Sequence, residues 1–339
     1  MVSPRTKRNL RSQLRRSTLA KIGIVVFVVV VLVAVFAPFV APHDPTNQHL
    51  DQKLIPPVGF TKMTTQTSTQ MVNGTLKVVT ERTLVEATWT YPLGTDPLGR
   101  GMFSRLVYGA RTSILVGLLG TLIAMAAGVP VGLTAGYFGD RVDDTLMRIA
   151  DVMLAFPSLV LAIALVGLIG RAAVPIPDPW VALGIAGAGM PASFVLPGTV
   201  ILVVGLVRWV WFARVARGEA LSIGTEEYVK AARSAGASHR WILRKHVLPN
   251  ALTPILVLGT LQVAAMIILS TSLAFLGFSG TTLSWGYDIA QGRDYLATSW
   301  WVATLPGLAI VVTVVSINLI GDWLRDALDP GIEGEGGAG

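Results

Sequence analysis

An all-α membrane protein with six transmembrane helices is the fold this chain of 339 residues predicts, and three observations point there. Hydrophobic residues make up 52% of the chain and charged ones 14%, whereas a soluble domain is about a quarter charged. Six apolar stretches are long enough to cross a hydrocarbon core of roughly 30 Å, which takes about 20 residues. The Lys and Arg residues behind the net charge of +7 collect at the ends of those stretches rather than along one face, which fits membrane topology better than nucleic acid. The absence of cysteine excludes disulfides, thiolate metal sites and cysteine nucleophiles.

Residues 1–21 form a basic N-terminus holding Arg5, Lys7, Arg8, Arg11, Arg15, Arg16 and Lys21 with no acidic residue. The first span, 22–40, exceeds the apolar core of a signal peptide, about 7 to 15 residues, and reads as an uncleaved helix entered from the cytoplasm. A polar stretch, 41–113, follows as an extracytoplasmic insert and pre-helix segment. Its Thr/Val-rich runs Thr67 to Val72 and Thr75 to Thr80 flank Asn73-Gly74, a pair suited to a two-residue turn, so a β-hairpin is expected there. Asn73-Gly74-Thr75 also fits a glycosylation sequon, a match short enough to arise by chance.

The core, 114–321, carries five more spans: Ile114 to Tyr137, Ile149 to Ile169, Leu196 to Val215, Ala251 to Phe278 and Trp300 to Leu319. Both termini, the loop Phe138 to Arg148 and the loop 216–250 then face the cytoplasm, and the tail 322–339 closes the chain, with Gly331 to Gly339 expected to be disordered. Arg100, Arg105 and Arg111 run against the positive-inside bias, from which long translocated loops are largely exempt. The stretch Trp180 to Leu196 is apolar enough for a seventh span, but Pro191, Pro197 and its glycines favour an external or re-entrant piece. Trp209, Trp211 and Phe212 beside Arg208 and Arg214, and Trp300 with Trp301, read as interfacial anchors. Gly128, Gly132 and Gly136 recur every fourth residue, a spacing that lets helices approach closely in lipid.

No catalytic constellation is present. His43, His49, His239 and His246 form no zinc-protease motif, no nucleophile elbow occurs, and no lysine follows a glycine, which rules out a phosphate loop of the Walker type. Transport driven by ATP would therefore need a separate hydrolytic subunit. The polar island Glu227 to Asn250 is where such a subunit could press. Thr225 can cap a helix whose first turn holds Glu226 and Glu227, and Gly236 should end it. Ser238 can cap a second helix running to Leu248, where Pro249 interrupts it. Glu226 and Lys230 are spaced to pair. A basic segment held on anionic lipid is the alternative, disfavoured by the small residues Ala231, Ala232, Ala235 and Gly236 and by the interleaved acids.

The island resembles the EAA loop of permease subunits of ATP-binding-cassette importers, which reads Glu-Ala-Ala, three residues, Gly, nine residues, then Ile-x-Leu-Pro. Here it is Lys230-Ala231-Ala232, Gly236 and His246-Val247-Leu248-Pro249, with lysine and histidine replacing the family's Glu and Ile. Further stretches are similar to the "C" type permeases for dipeptides and oligopeptides. They are Gly94-Thr95-Asp96 to Ser113, Leu273-Ala274-Phe275-Leu276-Gly277-Phe278 and Asn318-Leu319-Ile320-Gly321-Asp322-Trp323 to Pro330.

The resemblance implies the type I importer permease fold and a transport subunit in the cytoplasmic membrane that is not itself an enzyme. Its partners would be a second permease, two ATPase subunits that carry ATP and Mg, an extracytoplasmic peptide-binding protein and the bilayer, with no nucleic acid. The expected coupling residues are Glu227, Lys230, Ala231, Ala232, Ala235, Gly236, His246, Leu248 and Pro249. Gln262, Met266 and Ser270 fall on one face of the fifth span, where they either line the path or pack against other spans. No cofactor or metal is expected in this chain. A secondary transporter and a lipid-bound scaffold are the rival classes, and glutathione or a nickel chelate the rival cargoes.

Overall fold

The computed structural model describes residues 13–15, 17–72, 75–187 and 189–328. In chain order the helices and strands are α1 (Thr18–Val35), α2 (Ala37–Val40), β1 (Thr61–Val72), β2 (Thr75–Glu86), α3 (Met102–Phe138), α4 (Asp140–Ala155), α5 (Ser158–Ile169), β3 (Ala173–Pro177), α6 (Pro179–Ala182), β4 (Ser193–Pro197) and α7 (Gly198–Gly224). There follow α8 (Glu227–Ser234), α9 (His239–Ile242), α10 (Leu248–Phe275), α11 (Trp285–Gly292) and α12 (Trp301–Leu328). Among the described residues, five helices are long and apolar enough to cross a membrane, namely α1, α3, α7, the continuous His239–Phe275 and α12. α4 and α5 supply a sixth crossing if taken together.

That sixth crossing is bent by 93°, where a straight span over Ile149 to Ile169 was expected. The cause is Pro157. A proline has no N–H for the helical ladder and pushes the residue before it into extended backbone, and Phe156 sits at φ −95°, ψ 136°. α4 is then amphipathic and is tied to α7 by Arg217 to Asp143 at 2.5 Å and Arg214 to Asp151 at 2.7 Å. The 12 residues of α5 reach only about 18 Å.

α3 against α7 is the centre of the fold, and the four-residue glycine repeat is its seam. A Cβ added at Gly128 would lie 2.2 Å from the Trp209 carbonyl oxygen, at Gly132 2.1 Å from that of Ala213, and at Gly136 2.4 Å from that of Arg217. These approaches are closer than any side chain allows, so the two backbones touch. α7 runs beyond the expected end at Val215 to Gly224, which changes the reading of the aromatic residues. Phe212 is fully buried against this seam and is no interfacial anchor, while Trp211 is exposed. Trp301 is likewise buried, donating Nε1–H to the Thr95 carbonyl at 3.0 Å.

At the end where α3 begins, charge is managed internally. Arg105, 2% exposed, pairs with Asp288 through Nε at 2.9 Å and also donates to the Pro45 carbonyl at 3.1 Å. Arg100 pairs with Asp96 at 2.6 Å. Arg111 pairs with Asp178 and donates to the carbonyls of Ala34 at 2.9 Å and Val35 at 3.0 Å, at the negative end of α1. The three arginines that run against the orientation bias are therefore each neutralised by an aspartate.

The stretch with potential for a seventh span, Trp180 to Leu196, instead holds most of α6 and of β4, which pairs antiparallel with the preceding β3 in register from Ala173↔Pro197 to Pro177↔Ser193. Trp180 docks it on α1, stacking on Phe36 at 5.1 Å and donating Nε1–H to the Val35 carbonyl at 2.7 Å. The expected hairpin is present and longer than predicted, Thr61 pairing with Glu86 and Val72 with Thr75. Its Asn73-Gly74 turn, and with it most of the sequon, lies outside the described residues, as does the tail from Gly331 to Gly339.

Because the seam has no room for a methyl group, Gly132→Ala should cost about 1–3 kcal/mol, seen as a lower thermal midpoint in detergent. Gly218→Ala on the same pair of helices meets nothing within 4 Å and should leave the midpoint unchanged or slightly higher.

Candidate functional site

At the opposite ends of α3 and α7, α8 and α9 stand out from the bundle on a small apolar foot. Val229, Ile242 and Val247 are fully buried in the main core, and Ala232 packs half-buried beside them. The outer side of the loop is exposed along Glu227, Lys230, Ala231, Ala235 and Gly236. Gly236 has φ +81°, and a Cβ built there would meet nothing within 4 Å. Its N–H donates to the Arg233 carbonyl at 3.0 Å and that of Ala237 to Ala232 at 3.1 Å, which closes α8 in a left-handed turn. The elbow is thus bare and exposed.

Several local expectations need correction. Thr225 does not cap α8. Because α7 extends to Gly224, Thr225 terminates that helix and donates Oγ1–H to the Ser222 carbonyl at 2.7 Å, leaving Glu226 at the N-cap with no side-chain bond. Lys230 pairs with Glu227 at 3.2 Å rather than with Glu226, and both side chains are too exposed for the pair to add much stability. Ser238 does cap α9, accepting from the Trp241 N–H at 3.4 Å. Pro249, however, does not interrupt the second helix. A π turn over Leu243–Val247 lets the Leu248 N–H reach the Leu243 carbonyl, and the widened turn carries the helix on through Pro249 into α10. α9, the π turn and α10 are therefore one continuous helix of 37 residues, His239–Phe275.

The loop is fastened to α3 by groups that the sequence reading passed over. Tyr137 Oη is 2.9 Å from His239 Nδ1, Arg233 lies over the Tyr137 ring at 5.2 Å, and Phe138 sits 5.5 Å from the His239 ring. The available signal was an aromatic pair at the very end of a span, just before Gly139. His246 sits between the rings of Tyr228, tilted at 5.5 Å, and Trp241, edge-on at 5.0 Å, which explains how an imidazole occupies a position of apolar packing. Asn250 Nδ2 donates to Tyr228 Oη at 3.1 Å, closing the base of the loop. Leu248 is half-buried and Pro249 exposed.

Gln262, Met266 and Ser270 lie along α10 away from this loop. Met266 is fully buried, and a Cβ at Gly120 would lie 3.5 Å from its sulfur; Gln262 is 6% exposed, and Ser270 donates Oγ–H to the Ile267 carbonyl at 2.9 Å. The first two thus pack inside the chain in this conformation. Among the described residues, no three His, Asp or Glu side chains converge as a metal site.

Residues 128–334 match the family described as "Binding-protein-dependent transport system inner membrane component", and residues 8–57 match the N-terminal transmembrane domain of oligopeptide transport permease C. The di/tripeptide transport system permease protein DppC of Pseudomonas aeruginosa (strain UCBPP-PA14) is 35% identical, covering 91% of this chain and 86% of the relative. The probable D,D-dipeptide permease DdpC of Escherichia coli (strain K12) is 34% identical, covering 94% and 89%. Among solved structures, an inward-facing MetNI methionine ABC transporter superposes with a TM-score of 0.52 at 19% identity, covering 67% of this chain and 98% of that one, a likeness of fold.

Loss of the Tyr137 hydroxyl should loosen the loop without unfolding the bundle. In Tyr137→Phe, hydrogen–deuterium exchange across α8 and α9 should quicken by about fivefold, the worth of one net hydrogen bond of about 1 kcal/mol. Exchange in the middle of α3 should not change.

Proposed function

Since the chain belongs to the family of binding-protein-dependent transport system inner membrane components and is a permease of the dipeptide and oligopeptide type, we propose that it moves di- or oligopeptides across the cytoplasmic membrane. It does so with a second permease, fed by an extracytoplasmic peptide-binding protein and driven by two ATPase subunits that hold ATP and Mg. The observation that carries this reading is the bare elbow of α8 and α9, joined without a break to the 37-residue helix His239–Phe275. Small residues on its outer side let a partner's backbone come close, and the aromatic clasp of Tyr137 and His239 passes force to α3.

Coupling follows from stiffness. ATP draws the two ATPase subunits together, and the loop seated in them moves with them. Because α9 continues into α10, a push at the elbow tilts the whole span rather than being absorbed at a joint. The bundle then turns as a rigid body, opening the path to the outside, and hydrolysis returns it. In this chain the seam of α3 and α7 holds the bundle together during that motion, and no ATP chemistry takes place on its residues.

Docking can be tested at exposed positions that do not support the fold. Ala231→Trp and Ala235→Arg should each reduce copurification of the ATPase subunits by about tenfold or more while the permease stays folded. Full assembly and ATP-driven uptake in both variants would reject the coupling role. The chain has no cysteine, so Ser234→Cys supplies a single label. It should react from the cytoplasmic side alone in right-side-out and inverted vesicles, and labelling only from outside would reverse the orientation.

A further inference from the structure

At the end of the bundle opposite the loop lies a cleft of about 430 Å³, within the range of small-molecule sites. It opens where α3 and α7 begin, between the β3–β4 hairpin and the segment that follows α10. Its walls include the apolar Phe194, Val195 and Phe278. Two hydroxyls on the wall have no hydrogen-bond partner among the described residues, although their side chains are almost wholly buried: Tyr108 is 3% exposed and Ser279 8%. A buried polar atom without a partner is costly, and a ligand that satisfies it recovers that cost.

One charged side chain lines the cleft, Arg171. Neighbouring Arg111 is matched by Asp178, but the contact Arg171 makes among the described residues is to a carbonyl, that of Gly277, at 2.8 Å from Nη2. Its remaining donors are free for a carboxylate. The chemistry offered is thus one cation, two unpartnered hydroxyls among several, and an apolar wall.

Resting on the peptide cargo proposed above, we infer that this cleft is an entry subsite for the C-terminal residue of the peptide. Arg171 faces the terminal carboxylate, a small turn of the Tyr108 and Ser279 side chains brings their enclosed hydroxyls to the last amide group, and the last side chain rests on Phe194, Val195 and Phe278. Ser279 lies four residues past the end of the continuous helix that starts at the elbow, so the subsite and the ATPase contact share one rigid element.

The test uses the complete transporter in proteoliposomes with saturating binding protein, measuring uptake of a peptide and of its C-terminal amide. Comparing the acid-to-amide preference between variants cancels the preference of the binding protein itself. Arg171→Gln should lower that preference by about fivefold, the scale of one partly exposed charge-assisted hydrogen bond, and Arg171→Lys should restore part of it. Tyr108→Phe combined with Ser279→Ala should slow uptake of both peptides while ATPase subunits still copurify. An unchanged preference in Arg171→Gln overturns the subsite. So does an unchanged preference accompanied by a higher binding-protein concentration for half-maximal uptake, which would make the cleft a docking surface for that protein. If the wild type imports no peptide at all, the cargo reading fails first and the subsite falls with it.

Discussion

Contact between the backbones of α3 and α7 is the constraint on which the rest of this structure depends. Water cannot drive helices together inside a bilayer, so their association rests on close packing of complementary surfaces. Glycines at 128, 132 and 136 remove the side chains that would hold the two axes apart, and the Trp209, Ala213 and Arg217 carbonyls fill the space. Once the two helices are in contact, their ends are fixed on opposite faces of the bundle. One pair of ends carries the exposed elbow, and the other borders the cleft of Arg171.

Charge is handled in two different ways at those two ends. Around the start of α3, arginines are enclosed with aspartates and carbonyls, where leaving either partner alone would cost several kcal/mol. Arg111 there binds three separate pieces of chain, the carbonyl end of α1, the segment before α6 and the face of Phe194 at 5.0 Å. Around α8 and α9 the charges stand in solvent and are weakly paired. A closed electrostatic clamp at one end and an open charged surface at the other set the two ends of the bundle apart.

The prolines illustrate how context decides what a local signal does. Pro130, Pro254 and Pro306 all lie inside helices that continue past them. Pro157 instead marks a bend of 93°. Its sequence neighbours resemble those of the others, but α4 is held against α7 by the Asp143 and Asp151 ion pairs while α5 packs separately on the same helix. Each half has its own attachment to α7, and the chain bends between them where Pro157 leaves the helical ladder without a donor. Pro249 is absorbed because the π turn before it adds one residue to the helical ladder.

By itself the sequence determined what composition and local pattern can carry. The apolar stretches specified a membrane bundle because the bilayer demands about 20 apolar residues per crossing. The glycine spacing announced a close helix contact, Asn73-Gly74 announced a hairpin, and Gly236 announced a helix stop, each from short-range sterics. The elbow residues Ala231, Ala235 and Gly236 were legible for the same reason. What only the tertiary structure decided depends on residues distant in the chain: that Arg105 meets Asp288 and Arg111 meets Asp178, that Tyr137 clasps His239, and that Met266 faces inward. No local rule specifies such pairs, since each forms only after the α3–α7 seam has set the relative positions of the helices.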